Sequence, residues 1–345
     1  MLRRLVLLAV CSLLPQLAFA QDWVGDYSRE FQAGIDSLTA GRYDEGIASF
    51  ERCIELNPSP DATCAYNIAC GYSLKKELDP AFEWLGKAAA WGFGNSDGNI
   101  DHAKRDTDLA NLRADPRFEA FIAEMTRIRA ELEAYWSVPE VYVPESLAES
   151  EAMPLLVVLH EVGGTKTGVL ERWMPVADAL GSALIAPSGK HTVGGAPSAG
   201  MSWFDDPNAY GQRYWTYEKT VNDAVSAFKK EHGVDRERVF LAGEGQGGLV
   251  AFNVAIAGPG LYKGALVVNG GVHLELAQKK AANAGKMGFR ASLLAVEGGI
   301  PGLPDGLTVE ALLTGAARQL GTWGLAGVQT AVLPAGTERT ALQAR

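Results

Sequence analysis

The chain has 345 residues, 47% of them hydrophobic and 21% charged, which is enough apolar material for packed cores and about two domains. A formal net charge of −10 excludes a nucleic-acid binder that works through a basic face, and four cysteines are too few for a disulfide scaffold.

The first twenty residues read as an export signal. Arg3 and Arg4 form a positive start, residues 5–14 are an apolar run, and Ala18-Phe19-Ala20 is a small-x-small cleavage site. The run is too short to span a bilayer. Val10 stands before Cys11, where a lipobox resembling those of bacterial lipoproteins would have a small residue. The expectation is cleavage to leave Gln21, export to the periplasm or the medium, and no membrane span thereafter. The mature chain then carries a net −12. It keeps Cys53, Cys64 and Cys70, an odd number that leaves at least one unpaired, and these read as small buried core residues. No cysteine follows Cys70, so the second half has no cysteine nucleophile.

Residues 21–136 read as a helical domain. Between residues 27 and 93 a period of 34 to 35 residues matches Gly46 with Ala81, Phe50 with Leu85 and Cys53 with Ala88. Small residues let helices approach, and the larger one fills the groove between them. This pattern resembles the tetratricopeptide repeat. Two units are fewer than a free-standing stack normally requires, so something must cap them. Asp106, Asp108, Leu109, Leu112, Asp115, Pro116 and Phe118 resemble the tail that closes bacterial repeats of this kind, and an amphipathic helix over 118–135 follows. The resemblance implies a surface for a protein or peptide partner, or else a buttress for the domain that follows.

From residue 138 to 345 short apolar runs alternate with helical stretches. Strands are expected at 141–143, 155–159, 183–186, 239–242, 265–269, 293–296 and 329–333. Tyr217, Val221, Ala224, Val225 and Phe228 fall on one helical face. Such alternation predicts a mostly parallel α/β sheet flanked by helices, with ligands beyond the carboxyl ends of the strands.

The order Leu156-Val157-Val158-Leu159-His160, Gly163-Gly164, Ala186-Pro187, Ser202-Trp203-Phe204-Asp205 and the run from Gly233 to Gly243 resembles the carboxylesterase/phospholipase branch of the α/β-hydrolases. The resemblance implies a Gly-x-Ser-x-Gly elbow, an acid after a later strand and a histidine after the last one. Each position departs from that pattern. The elbow reads Gly243-Glu244-Gly245-Gln246-Gly247, Ile300 stands at the acid position and Thr337 at the histidine position, and no histidine follows His273. Glycine has no side chain to attack with and threonine is no base near neutral pH, so the serine mechanism is lost. Glycine also tolerates the strained backbone of an elbow.

The remaining candidates are read for binding. The amides of Gln246 and Glu161 are the implied oxyanion donors, although Glu161 stands where the family has glycine, and its carboxylate would repel an anion. His160 is a candidate base or a loop-fixing residue, and His273 a pocket residue or an exposed loop histidine. Glu244, Glu161 and Glu297 are either a carboxylate cluster at the strand ends or solvated loop residues. Ser198 and Ser202 lack an assigned histidine. Gly243, Gly245 and Gly248 satisfy G-x-G-x-x-G, but no acidic residue follows at the distance a ribose needs, and the match arises from glycine in the serine position. No cofactor or metal is implied. The expected function is a non-catalytic, exported hydrolase-fold protein that binds a small ligand in the strand-end pocket or a partner through its helical repeats. The alternatives are an esterase using His160 with Glu161, or Glu297, and a structural envelope component.

Overall fold

The computed structural model describes residues 23–57, 60–204, 214–296 and 308–334. These residues fall into two compact units, one of 23–137 with 191–200 and one of 138–190 with 201–334. No described helix is long and apolar enough to cross a membrane.

The first unit is helical. Helices α1 (Trp23–Thr39), α2 (Tyr43–Leu56), α3 (Ala62–Leu74) and α4 (Leu78–Ala90) pack in sequence, α1 on α2, α2 on α3 and α3 on α4. Asp61 starts α3 by accepting the Cys64 N–H at 2.8 Å, which satisfies one of the donors a helix start leaves open. Small residues lie where neighbouring helices meet. A Cβ at Gly46 would lie 2.7 Å from Leu38 Cδ2 and 3.2 Å from the Gly34 carbonyl oxygen, so glycine lets α1 and α2 pack closely here. Phe50, Cys53, Ala81, Leu85 and Ala88 are all fully buried.

Helix α5 (Asp97–Arg105) is capped by Ser96, and a short 3-10 turn follows in which Asp106 accepts the Asp108 N–H at 3.0 Å and the Tyr66 hydroxyl at 2.7 Å. Helix α6 (Pro116–Ser137) buries Phe118, Phe121, Met125, Ile128 and Leu132, the i, i+3, i+7 stripe of an amphipathic helix. The segment His191–Gly200 belongs to this unit. Asn95 Nδ2 donates to Thr192 Oγ1 at 3.0 Å, and Gly195, at φ +83°, lies so close to the Ala90 carbonyl that a Cβ would overlap it.

The second unit is a sheet of seven strands: β1 (Glu140–Tyr142), β2 (Met153–Leu159), β3 (Ala183–Ala186), β4 (Val234–Glu244), β5 (Gly264–Val268), β6 (Arg290–Val296) and β7 (Val328–Leu333). Their order is β1-β3-β2-β4-β5-β6-β7, with β1 antiparallel and the rest parallel. Helices α7 (Lys166–Leu180), α8 (Tyr214–Glu231), α9 (Gln246–Ala257), α10 (Leu274–Lys286) and α11 (Val309–Thr322) connect them. Both faces of β2 are covered. Leu155, Val157 and Leu159 join a core with α9, while Leu156 and Val158 join Trp173 and Val176 of α7. That double burial is why the strand reads as an unbroken apolar run.

All seven expected strands are present. β4 begins earlier than its apolar run, at Val234, because Asp235, Arg236, Glu237 and Arg238 look like a loop by composition. Between Met153 and Leu155 of β2 the register jumps from Val234 to Val239, so the polar residues 235–238 bulge out of the ladder and continuous pairing starts at Leu155 with Val239.

Candidate functional site

The site is built on the turn between β4 and α9. Gly245 occupies this turn at φ +51° and ψ −119°, a backbone conformation costly for any residue with a Cβ. Its N–H donates to the Val268 carbonyl at 2.9 Å, which fixes the turn to β5. The glycines on either side permit close packing. A Cβ on Gly243 would overlap the Gly247 carbonyl, and one on Gly247 would overlap the carbonyl oxygens of Leu159 and His160 at the end of β2. The third glycine of the G-x-G-x-x-G spacing, Gly248, belongs to the same crossing, since a Cβ there would lie 2.9 Å from the Gly243 carbonyl oxygen. A nucleotide has no part in that explanation.

Among the described residues, Glu161 has the side chain nearest the position a nucleophile would take. A Cβ on Gly245 would sit 3.3 Å from Glu161 Cβ and 3.9 Å from its Oε2. Glu161 is exposed and lies by the N-terminus of α9, whose partial positive charge favours a carboxylate. The backbone N–H groups of Glu161 and Gln246 have no hydrogen-bond partner among the described residues. The structure therefore brings together Glu161, Gly245 and Gln246, with two amides open for an anionic or carbonyl oxygen.

His160 is not available for chemistry. Its ring is fully buried and stacks on Trp203 at 5.1 Å between centroids. The Gly189 N–H can only donate, so Nε2 accepts from it at 3.0 Å. Nδ1 then carries the proton and donates to the Glu161 carbonyl at 2.7 Å. Burial, aided by the charge of Arg172, pushes its pKa down to about 4, so the ring is neutral and both nitrogens are committed. Of the two roles read from the sequence, the geometry assigns the loop-fixing one. Trp203 Nε1 reinforces it by donating to the His160 carbonyl at 2.9 Å.

Gln246 reaches into the same loop. Its Oε1 accepts the Trp203 N–H at 2.7 Å and the Ser202 hydroxyl at 3.1 Å, which fixes the amide orientation and leaves Nε2 buried without a partner among the described residues. Ser202 is completely buried and committed to Gln246, so it is no nucleophile.

Two expectations are corrected. Glu244 is neither a solvated loop residue nor a member of a strand-end cluster with Glu161. It is 4% exposed, accepts Trp173 Nε1 at 2.8 Å and pairs with Arg172 Nη2 at 3.4 Å, because side chains alternate across β4 and this one falls on the α7 face. His273 is not an exposed loop histidine. It is half-buried at the N-cap of α10, where Nδ1 accepts the Leu276 N–H at 3.2 Å, and its own N–H donates to Asn253 Oδ1 at 3.3 Å. Glu297, Ile300 and Thr337 lie outside the described residues. Among the described residues no group of three or more His, Cys, Asp or Glu side chains could hold a metal ion.

Sequence reasoning missed three supports. Arg172 and Trp173 hold Glu244. Lys166, 6% exposed at the start of α7, donates to the Val138 carbonyl at 2.7 Å, its pKa lowered by burial. Only the buried glutamate left a signal, as an acidic residue where β4 should be apolar.

Residues 145–288 match the family model described as Phospholipase/Carboxylesterase. No curated protein matches the chain. Among solved structures, the esterase PE8 is similar at 19% identity over 58% of this chain and 89% of its own, with a TM-score of 0.42. A carboxylesterase from Mesorhizobium loti is similar at 18% identity over 60% and 92%, with a TM-score of 0.43. An uncharacterized protein from Bacillus cereus is similar at 13% identity over 89% and 91%, with a TM-score of 0.41. Identities this low, at these scores, say nothing of activity. The chain is a helical unit followed by an α/β-hydrolase-like unit with an esterase-like fold.

Proposed function

We propose that this is an exported protein whose hydrolase-like unit works by binding, its elbow retained and its nucleophile gone. The observation that carries the reading is Gly245 at φ +51°, in the place and conformation of the serine, beside a histidine whose two nitrogens are both engaged. No histidine follows His273, and Ile300 and Thr337 stand at the other two family positions, so the family's acid and base are not at their places in the sequence. The open amides of Glu161 and Gln246 and the α9 N-terminus remain as polar anchors for a small ligand. The helical unit, with its tetratricopeptide-like period, is the surface for a protein or peptide partner.

A second reading has one observation in its favour. The Glu161 carboxylate stands 3.9 Å from the missing Cβ, close enough to the reacting position to act as a nucleophile or to activate water.

Both readings meet in one assay. Purified protein is expected to leave a panel of short and long acyl esters unhydrolysed above background. The triple variant Gly245→Ser, Ile300→Asp, Thr337→His is expected to turn them over at least about tenfold faster than Gly245→Ser alone, since triad members act as a unit. Wild-type turnover that is abolished by Glu161→Gln would replace the binding reading with the second one.

A further inference from the structure

The two faces of the sheet are covered unequally. Helices α8, α9, α10 and α11 all contribute to the core on one face, whereas among the described residues α7 is the only helix in the core on the other. Beside α7 this leaves a groove of about 770 Å3. Leu266, Leu294, Ala331 and Leu333 form its floor, and Val176 and Leu180 its wall. Two large apolar side chains along it stay in contact with water, Leu180 at 54% and Phe240 at 39% exposure.

The groove is polar at one end. Phe240 pairs with Gly264, and Gly264 with Arg290, so these three form the row of the sheet at which it begins. A Cβ on Gly264 would lie 3.3 Å from Phe240 Cδ1, so the ring leans over the glycine. Arg290 is exposed at the end of this row and pairs with no carboxylate among the described residues. Arg238, in the bulge before Phe240, lines the same end, and its Nε donates to Asp235 at 2.6 Å. Every second residue of a strand returns to this face. Ser292 stands opposite Gln329 in the next row, Leu294 opposite Ala331 in the third and Val296 opposite Leu333 in the fourth. Polarity therefore falls along β6 and β7, over about 20 Å of strand.

We propose that this groove binds a free long-chain carboxylate, its chain lying on Leu266, Leu294 and Leu333 and its head group on Arg290. Shape and charge argue together. The volume is that of a small-molecule site with an apolar lining and few polar groups. The polar groups gather at one end, where an unpaired guanidinium offers a carboxylate two parallel hydrogen bonds. The other end is apolar and covers a chain that carries no charge. The groove starts at the amino ends of the strands on the α7 face, whereas the elbow stands at the carboxyl end of β4, so this is a second site beyond the one proposed at Gly245.

Calorimetric titration of the protein with straight-chain acids and with decanol tests this. The expected result is one saturable site, with affinity rising about two- to fourfold for each methylene added from octanoate to dodecanoate. Decanol should bind about tenfold more weakly than decanoate, since it leaves the guanidinium unpaired. Arg290→Gln should weaken decanoate about tenfold and leave decanol within about twofold, a split that a merely structural loss would not give. Phe240→Glu, at an exposed position, should abolish binding of the acids, its thermal midpoint reporting that it folds; Arg290→Gln carries the test where it does not. Glu161→Gln should leave the acids bound. No saturable binding by the wild type, as when residues 335–345 or a second copy already fill the groove, overturns the proposal. So does an equal loss of acid and alcohol in Arg290→Gln. Binding that Glu161→Gln abolishes and Phe240→Glu keeps also overturns it, and places the ligand at the elbow instead.

Discussion

Gly247→Ala is expected to destabilise the α/β unit by about 3 kcal/mol or more, a large part of the stability of a typical domain. A Cβ there would lie 2.7 Å from the Leu159 carbonyl carbon and closer still to the carbonyl oxygens of Leu159 and His160. Those atoms are backbone at the end of a strand buried on both faces, so no rotamer change relieves the overlap. Either α9 moves away from β2, opening the core that Val250, Phe252 and Val254 share with Val157 and Leu159 of the sheet, or the end of β2 distorts and takes the His160 loop with it. Gly86→Ala is the matched control. Nothing lies within 4 Å of its added Cβ, in the interior of α4, so the gain in helix propensity should stabilise the helical unit by about 0.5–1 kcal/mol. Chemical denaturation of the two variants beside the wild type measures both. A Gly247→Ala protein within about 1 kcal/mol of wild type would mean that the crossing is looser than these contacts require.

That crossing also marks the limit of what the sequence discloses. The strands are legible because a doubly covered parallel sheet needs apolar runs, and the elbow is legible because a glycine-rich turn between a strand and a helix has few other uses. Glycine at position 245 can be read directly as a turn without a side chain at its apex. The direction of a neighbouring side chain cannot. Glu244 reads as a member of a strand-end carboxylate group, yet the alternation along β4 turns it onto α7, where Trp173 and Arg172 receive it. Those partners sit more than seventy positions away, and only the fold brings them near. The place of His273 after β5 is legible, but its capping of α10 depends on the path of the chain between the strand and the helix. Likewise, the segment His191–Gly200 carries no compositional mark of the helical unit to which it belongs. It is held there by the Asn95–Thr192 hydrogen bond and by a glycine pressed against a carbonyl, contacts that leave no periodic pattern.

The stability of the α/β unit should fall as the pH drops from about 6.5 toward 4, and His160 is the reason. In the folded protein burial holds its pKa down to about 4, while in the unfolded chain the ring titrates near its ordinary value of 6.5. Between those values the unfolded state binds a proton that the folded state refuses. The stabilisation is therefore complete above the unfolded pKa and is lost as the pH falls through the window, by about 3 kcal/mol in all. The geometry explains the refusal. A proton on Nε2 would face the Gly189 N–H, turning an acceptor into a second donor at 3.0 Å, and the charge would stand in a core beside Trp203. Denaturation curves at pH 4.5, 5.5, 6.5 and 7.5 measure the slope. His160→Asn should be less stable at pH 7.5 and should lose most of the pH dependence above pH 4.5. A wild-type slope near zero, or one that persists in the variant, would remove His160 as its source. Protonation takes the Nε2 lone pair that accepts the Gly189 N–H, so it should release the Gly189 segment, while Nδ1 keeps its hydrogen on the Glu161 carbonyl.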